Sequence, residues 1–144
     1  MGHRALFKRY AAFALAKLDE AHPNRVNLVP GKLVEELGDE ALKENIFLCE
    51  RTLDWLVENE YVRVSSREWS GNPNIAESTY RDARLTTQGF AALDIKIDFR
   101  GKAQRAGDVL LEQVRQTASE ARNSALGEVV GQVIGGFTKS LLGS

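Results

Sequence analysis

The spacing of apolar positions divides the chain into helical stretches and a few short extended ones. Between residues 4 and 21, Leu6, Tyr10, Phe13, Ala14, Lys17 and Leu18 recur at helical spacing in an alanine-rich background, which predicts an amphipathic helix. His22-Pro23-Asn24 ends it, because the residue before proline disfavours helix and asparagine suits a turn. Val26 to Val29 is long enough only for an edge strand. Pro30 fits the first position of a helix over Gly31 to Leu37, and Gly38 fits the left-handed position that closes it. Asp39 is placed to cap the next helix, with Glu40 near its positive end.

That helix is expected to run to about Glu60, with room for a break near Lys43 to Asn45. Ile46, Cys49, Leu53, Leu56 and Val57 make an inward stripe, while Phe47, Leu48 and Trp55 lie partly off it. The plainer reading packs this helix between the first helix and a hairpin. The sharper one makes Phe47 and Trp55 a subunit or partner contact, since large exposed apolar patches mark interfaces. Tyr61, Val62 and Val64 begin a strand, with Arg63 alternating away from the core. Gly71-Asn72-Pro73-Asn74 reads as turn chemistry in a polar loop, and Tyr80 to Leu85 returns as the second strand. Thr86 or Thr87 then caps a short helix whose Phe90, Ala91 and Leu93 pack back on the core.

Beyond residue 100 the pattern changes. Helix signal runs from Ala103 to about Arg122, and after it Gly127, Gly131 and Gly135 are spaced by four, on one helix face that a second helix can approach closely. Each such glycine costs about 1 kcal/mol relative to alanine in water, so packing must compensate. Val130, Val133, Ile134 and Phe137 supply apolar surface for it. Three uses compete: self-association of tails or docking on the preceding domain, insertion at a membrane interface, and folding only on a partner. Glu128 and the lone cation Lys139 offer little attraction to anionic lipid, so membrane contact is the weaker choice. The expected division is a domain over 1–98 and a helical, glycine-rich tail over 99–144.

Composition narrows the class. The 144 residues, 43% hydrophobic and 27% charged, describe a soluble globular chain with a formal charge of −1 and no basic tail. Cys49 is the only cysteine, so no intrachain disulfide forms and a cytoplasmic setting is the simpler expectation. The first ten residues lack a signal-peptide pattern, Leu6 stands where a myristoylation motif needs Ser or Thr, and no apolar run is long enough to span a membrane.

The combination of YVRV, a polar loop and RLTTQGFAALD resembles prokaryotic winged helix-turn-helix proteins, including small phage- and prophage-associated ones in which a helical tail follows. The resemblance covers about residues 5 to 95. It implies a mainly α (α+β) domain with a small β-hairpin wing and a C-terminal helical tail. It also implies a non-enzymatic, DNA-binding regulator in which the long helix reads double-stranded DNA and the wing touches phosphate. Carried onto this sequence, the helix positions are Lys43, Asn45, Arg51 and Thr52, and the wing positions are Arg63, Arg67, Arg81 and Arg84. The charge of the long helix opposes this: Glu35 to Glu60 holds two basic and nine acidic residues, a net of −7, which a duplex would repel. Two other uses therefore stand beside it, a protein-interaction adaptor using the acidic helix with Phe47 and Trp55, and a membrane-associated assembly protein using the tail.

Catalytic chemistry is not expected. His3 and His22 flank the first helix without metal-ligand spacing, Cys49 sits on the inward stripe, and no phosphate loop or dinucleotide fingerprint occurs. No cofactor or metal is expected.

Overall fold

The computed structural model describes residues 2–69, 78–115 and 130–133, a mixed α and β chain with a small antiparallel sheet. Its first helix, α1 (His3–Ala21), is buried round most of its circumference. Ala11, Ala12, Ala14 and Ala16 are at most 1% exposed, and their small side chains let two helices close in on α1. These are α3 (Lys43–Glu58) and α5 (Ala106–Arg115). The alanines that the sequence offers as helix formers are thus contact surface as well.

Between α1 and α3 the chain forms β1 (Val26–Leu28) and α2 (Pro30–Glu36). Pro30 occupies the first turn of α2, and Gly38 adopts a φ of 80° just past its end, as the proline and glycine pattern predicts. The expected cap at Asp39 does not form. Its carboxylate instead accepts from Arg9 Nε at 3.1 Å, while Arg9 Nη2 donates to the Leu37 carbonyl at 2.7 Å. A buried guanidinium outcompetes a helix cap for this acid, and α3 starts later, after Leu42.

After α3, Glu60 turns the chain at a φ of 64° into β2 (Val62–Arg63) and β3 (Ser66–Trp69), both paired with β4 (Ser78–Leu85). Strand β1 lies along the other edge of β4, giving the order β1-β4-β2. The register slips between Val26↔Ala83 and Leu28↔Tyr80, and Asp82, at a φ of 55°, is the extra residue. The bulge keeps Tyr80, Ala83 and Leu85 all on the buried face.

Helix α4 (Thr87–Leu93) is capped by Thr86, whose hydroxyl accepts from the Gly89 N–H at 2.9 Å and donates to the Glu60 carbonyl. A Cβ at Gly89 would run into the Tyr61 carbonyl oxygen, so only glycine permits this approach of α4 to the start of the sheet.

A second hairpin then follows where the sequence suggests the approach to a helix. Strands β5 (Lys96–Phe99) and β6 (Lys102–Arg105) pair antiparallel through Arg100 and Gly101, at φ values of 55° and 80°. Two left-handed residues in a two-residue loop match the twist of the flanking strands. Helix α5 accordingly begins at Ala106 rather than Ala103, and the boundary expected at residue 98 falls inside β5. Val130 and Val133, on the short helical stretch 130–133, join the same core as α1 and α5. No helix among the described residues is long and apolar enough to cross a membrane. The loop turn at Gly71 to Asn74, the helix expected over 116–122, and Gly127, Ile134, Gly135 and Phe137 lie outside the described residues.

Candidate nucleic-acid interface

The sheet has one face on the core and one in water. On the water face Arg63 and Arg84 stand directly opposite each other across β2 and β4. Like charges in this position repel and destabilise the strand pair. Arg84 Nη1 donates to Ser65 Oγ at 3.1 Å and to the Asp82 carbonyl at 2.8 Å, neither of which cancels its charge. Arg63 is exposed and has no ion-pair partner among the described residues. Arg81 lies nearby and pairs with Glu68 at 2.8 Å, with both side chains about half exposed. Three of the four expected wing arginines therefore share an outward face, held by the bulge at Asp82.

The fourth does not. Arg67 alternates to the inner face of the hairpin and reaches α3, where its guanidinium pairs with Glu50 and, at 2.9 Å, with Asp54. Its Nε donates to Ser78 Oγ at 3.1 Å, and its guanidinium carbon lies over the rings of Trp69 and Tyr80, 4.5 and 5.2 Å from their centroids. Tyr80 completes the junction by donating its hydroxyl to Asp54 at 2.7 Å. Burial and the bond to Asp54 hold that phenol well above its ordinary pKa. Burial also raises the Glu50 carboxyl; Arg67 opposes this and Asp54 adds to it. Arg67 ties the hairpin to α3 and is committed inside the chain, so its expected role on phosphate is not supported.

Thr52 is the second correction. It is 1% exposed and its hydroxyl donates to the Leu48 carbonyl one turn back, so it cannot meet a base edge. Asn45 is half-buried, with its amide donating to the Glu40 carbonyl at 2.9 Å. Lys43 and Arg51 are exposed, Lys43 lying over the Phe47 ring at 5.7 Å. Trp55 packs edge-on against Phe7 at 5.3 Å and stacks on Tyr61 at 5.8 Å, so its ring is engaged within the chain rather than offered as an anchor. Phe47 remains half-exposed.

The acidity of the long segment also looks different in three dimensions. Of its nine acids, Glu36 pairs with Lys17, Asp39 with Arg9, and Glu50 and Asp54 with Arg67. The exposed charges of α3 are Lys43, Glu44, Arg51 and Glu58, which sum to zero. Sequence counting gives a repelling helix; the folded surface of α3 is neutral. Trp69, exposed on the hairpin, is the residue the sequence pattern hides, because it falls in a stretch that reads as loop.

Elsewhere, a cavity of about 290 Å³ is lined by Lys17, Asn27, Lys32, Glu36 and Thr79, with Lys17 already paired to Glu36 at 2.5 Å. Burial pushes the Cys49 thiol up to about 12, which leaves it inert as a nucleophile at neutral pH. Among the described residues no group of three or more His, Cys, Asp or Glu side chains is placed to hold a metal ion. No family model, curated protein or solved structure matches the chain.

Proposed function

We propose that the chain is a winged helix-turn-helix protein that binds double-stranded DNA without catalysing a reaction. The order α1-β1-α2-α3 followed by a hairpin, with β1 against the returning strand, supports the winged-helix reading. The observation that carries the functional reading is the facing pair Arg63 and Arg84, with Arg81 beside them, on the water face of the sheet. Two cations held opposite each other cost the fold stability that a phosphate backbone returns. The neutral exposed edge of α3 removes the repulsion that its sequence implies, and Lys43, Asn45 and Arg51 are its polar side chains nearest to a groove-reading role. The test is a double reversal, Arg63→Glu with Arg84→Glu. Affinity for a labelled duplex is expected to fall about tenfold or more at low salt, and the salt slope to drop by about 1 for each phosphate no longer engaged. Unchanged affinity in fluorescence anisotropy would mean that the sheet face does not meet DNA.

The same reading includes self-association through the C-terminal segment. Over 130–133, Val130 and Val133 turn into the core while Gly131 faces out, with open space where a side chain would project. A glycine facing away from the core leaves room for a second copy to approach. Gly131→Leu should leave monomer stability within about 0.5 kcal/mol. It should also shift sedimentation toward monomer, and an unchanged sedimentation coefficient would count against this interface.

A further inference from the structure

The cavity of about 290 Å³ lies where four elements meet: Lys17 comes from α1, Asn27 from β1, Lys32 and Glu36 from α2, and Thr79 from β4. Leu33, which is buried, and Val29, half-buried, give it an apolar lining, while the exposed Asn27, Lys32 and Glu36 keep it open to water. Small-molecule sites begin near about 300 Å³, so the space suits a small ligand. Its polar groups are set by contacts made elsewhere. Lys32 and Glu36 stand one turn apart on α2, a spacing at which lysine and glutamate can pair. Glu36 instead meets Lys17 Nζ at 2.5 Å, and that ammonium also lies 5.3 Å from the centroid of the Phe13 ring. Lys32 is left without an ion pair among the described residues. Asn27 Oδ1 accepts from the Asp82 N–H at 3.0 Å, and because a backbone N–H only donates, this contact fixes which way round the amide sits. Its Nδ2 and the Thr79 hydroxyl have no hydrogen-bond partner among the described residues.

The cavity thus sets two cations against one carboxylate and adds an amide NH₂ and a hydroxyl, so donors outnumber acceptors. A single ligand that meets several of these donors together is an anion with several acceptor oxygens, which charge-assisted hydrogen bonds favour. The donors come from α2, β1 and β4 rather than from one plane. A tetrahedral oxyanion offers oxygens in more than one plane, whereas a carboxylate offers two in one. We infer that this cavity binds the phosphate group of a small ligand. Lys32 supplies the charge, Asn27 and Thr79 donate hydrogen bonds, and Glu36 sets the affinity by competing for Lys17. The inference goes beyond the DNA-binding reading and does not depend on it.

The test is titration of the full chain with inorganic phosphate at fixed ionic strength, followed by calorimetry and by backbone amide shifts. Binding is expected with a Kd of about 1 mM or tighter, with shifts centred on Asn27, Lys32 and Thr79. Lys32→Ala removes an exposed side chain that makes no ion pair, and should weaken phosphate about tenfold while the fold stays intact. Glu36→Gln releases Lys17 and should tighten binding, an effect opposite in sign to Lys32→Ala. No shift around the cavity at about 10 mM phosphate would overturn the inference. So would equal affinity in Lys32→Ala and the unmodified chain, because the anion would then be held elsewhere. Repeating the titration with duplex DNA present should return the same affinity. Loss of phosphate binding there would make the occupant a DNA phosphate and overturn the assignment to a small ligand.

Discussion

Two arginines sit at the centre of comparable knots, and only one knot is closed. Arg105, on β6, holds Asp19 of α1 in two bonds at 2.7 and 2.8 Å, and also meets Asp94 at 2.8 Å and Asp108 at 3.4 Å. Its guanidinium lies over the Phe90 ring at 5.5 Å, and His22 stacks on the same ring at 4.5 Å. A Cβ on Gly107 would press on the ends of the Arg105 and Asp19 side chains, so a larger residue there would have to displace this ion pair. Arg67 joins two acids and two rings, and one of those rings is the exposed Trp69. The first knot fastens the second hairpin to α1 and ends there. The second fastens a hairpin to α3 and leaves a supported aromatic surface facing outward. The same ion-pair chemistry serves assembly in one place and presentation in the other.

The largest effect should come from opening the closed knot. Arg105→Ala leaves the Asp19 carboxylate, 8% exposed, without its bidentate partner, and should cost about 3 kcal/mol in denaturant unfolding. A loss below about 0.5 kcal/mol, the range of ordinary surface changes, would mean that the knot is incidental. Arg67→Ala should cost less, about 2 kcal/mol, because its own side chain is 29% exposed, Asp54 keeps water and Tyr80 as partners, and the buried Glu50 carboxyl, already raised, can take up a proton instead of staying charged. The comparison predicts that this variant also frees Trp69, seen as a fall in indole anisotropy; Arg105→Ala should leave that signal unchanged.

The smallest effect concerns pH. Burial holds the Glu50 carboxyl above the ordinary glutamate range in the folded chain, so in the window between the two values the folded state binds more protons than the unfolded one. Stability attributable to this group is therefore greatest below the ordinary value and declines as pH rises through the raised one. Glu50→Gln should remove that decline, read as the difference between the two unfolding profiles. Parallel profiles would show that Glu50 is not the group responsible.

Much of the helical skeleton was legible in the sequence because its punctuation is local. Pro30, Gly38 and Thr86 act on their own turns, and the stripe of Cys49, Leu53 and Leu56 buries as its spacing predicts. What failed was decided by distant partners. Asp39 is a sound cap by local rules, but Arg9 arrives from 30 residues away. Arg67 and Arg81 look alike in sequence, and strand alternation sends one to α3 and the other to solvent. Thr52 lies one position before Leu53 and turns inward with it. The second hairpin had a local signal, Arg100-Gly101 between alternating Ile97 and Phe99 and a polar return. Its four-residue strands are too short to outweigh the helical pattern that follows them.

Charge counting misled for the same reason. A net of −7 over Glu35 to Glu60 ignores the arginines and lysine that other elements bring to it. The folded surface, with facing arginines on the sheet and a neutral helix edge, leads to the opposite expectation. Binding of the unmodified chain to a random-sequence duplex, measured at about 50 and 200 mM salt, decides between them. Affinity should fall steeply between the two, as engagement of phosphates by the sheet arginines requires. Absence of binding at the lower salt would contradict the DNA-binding reading.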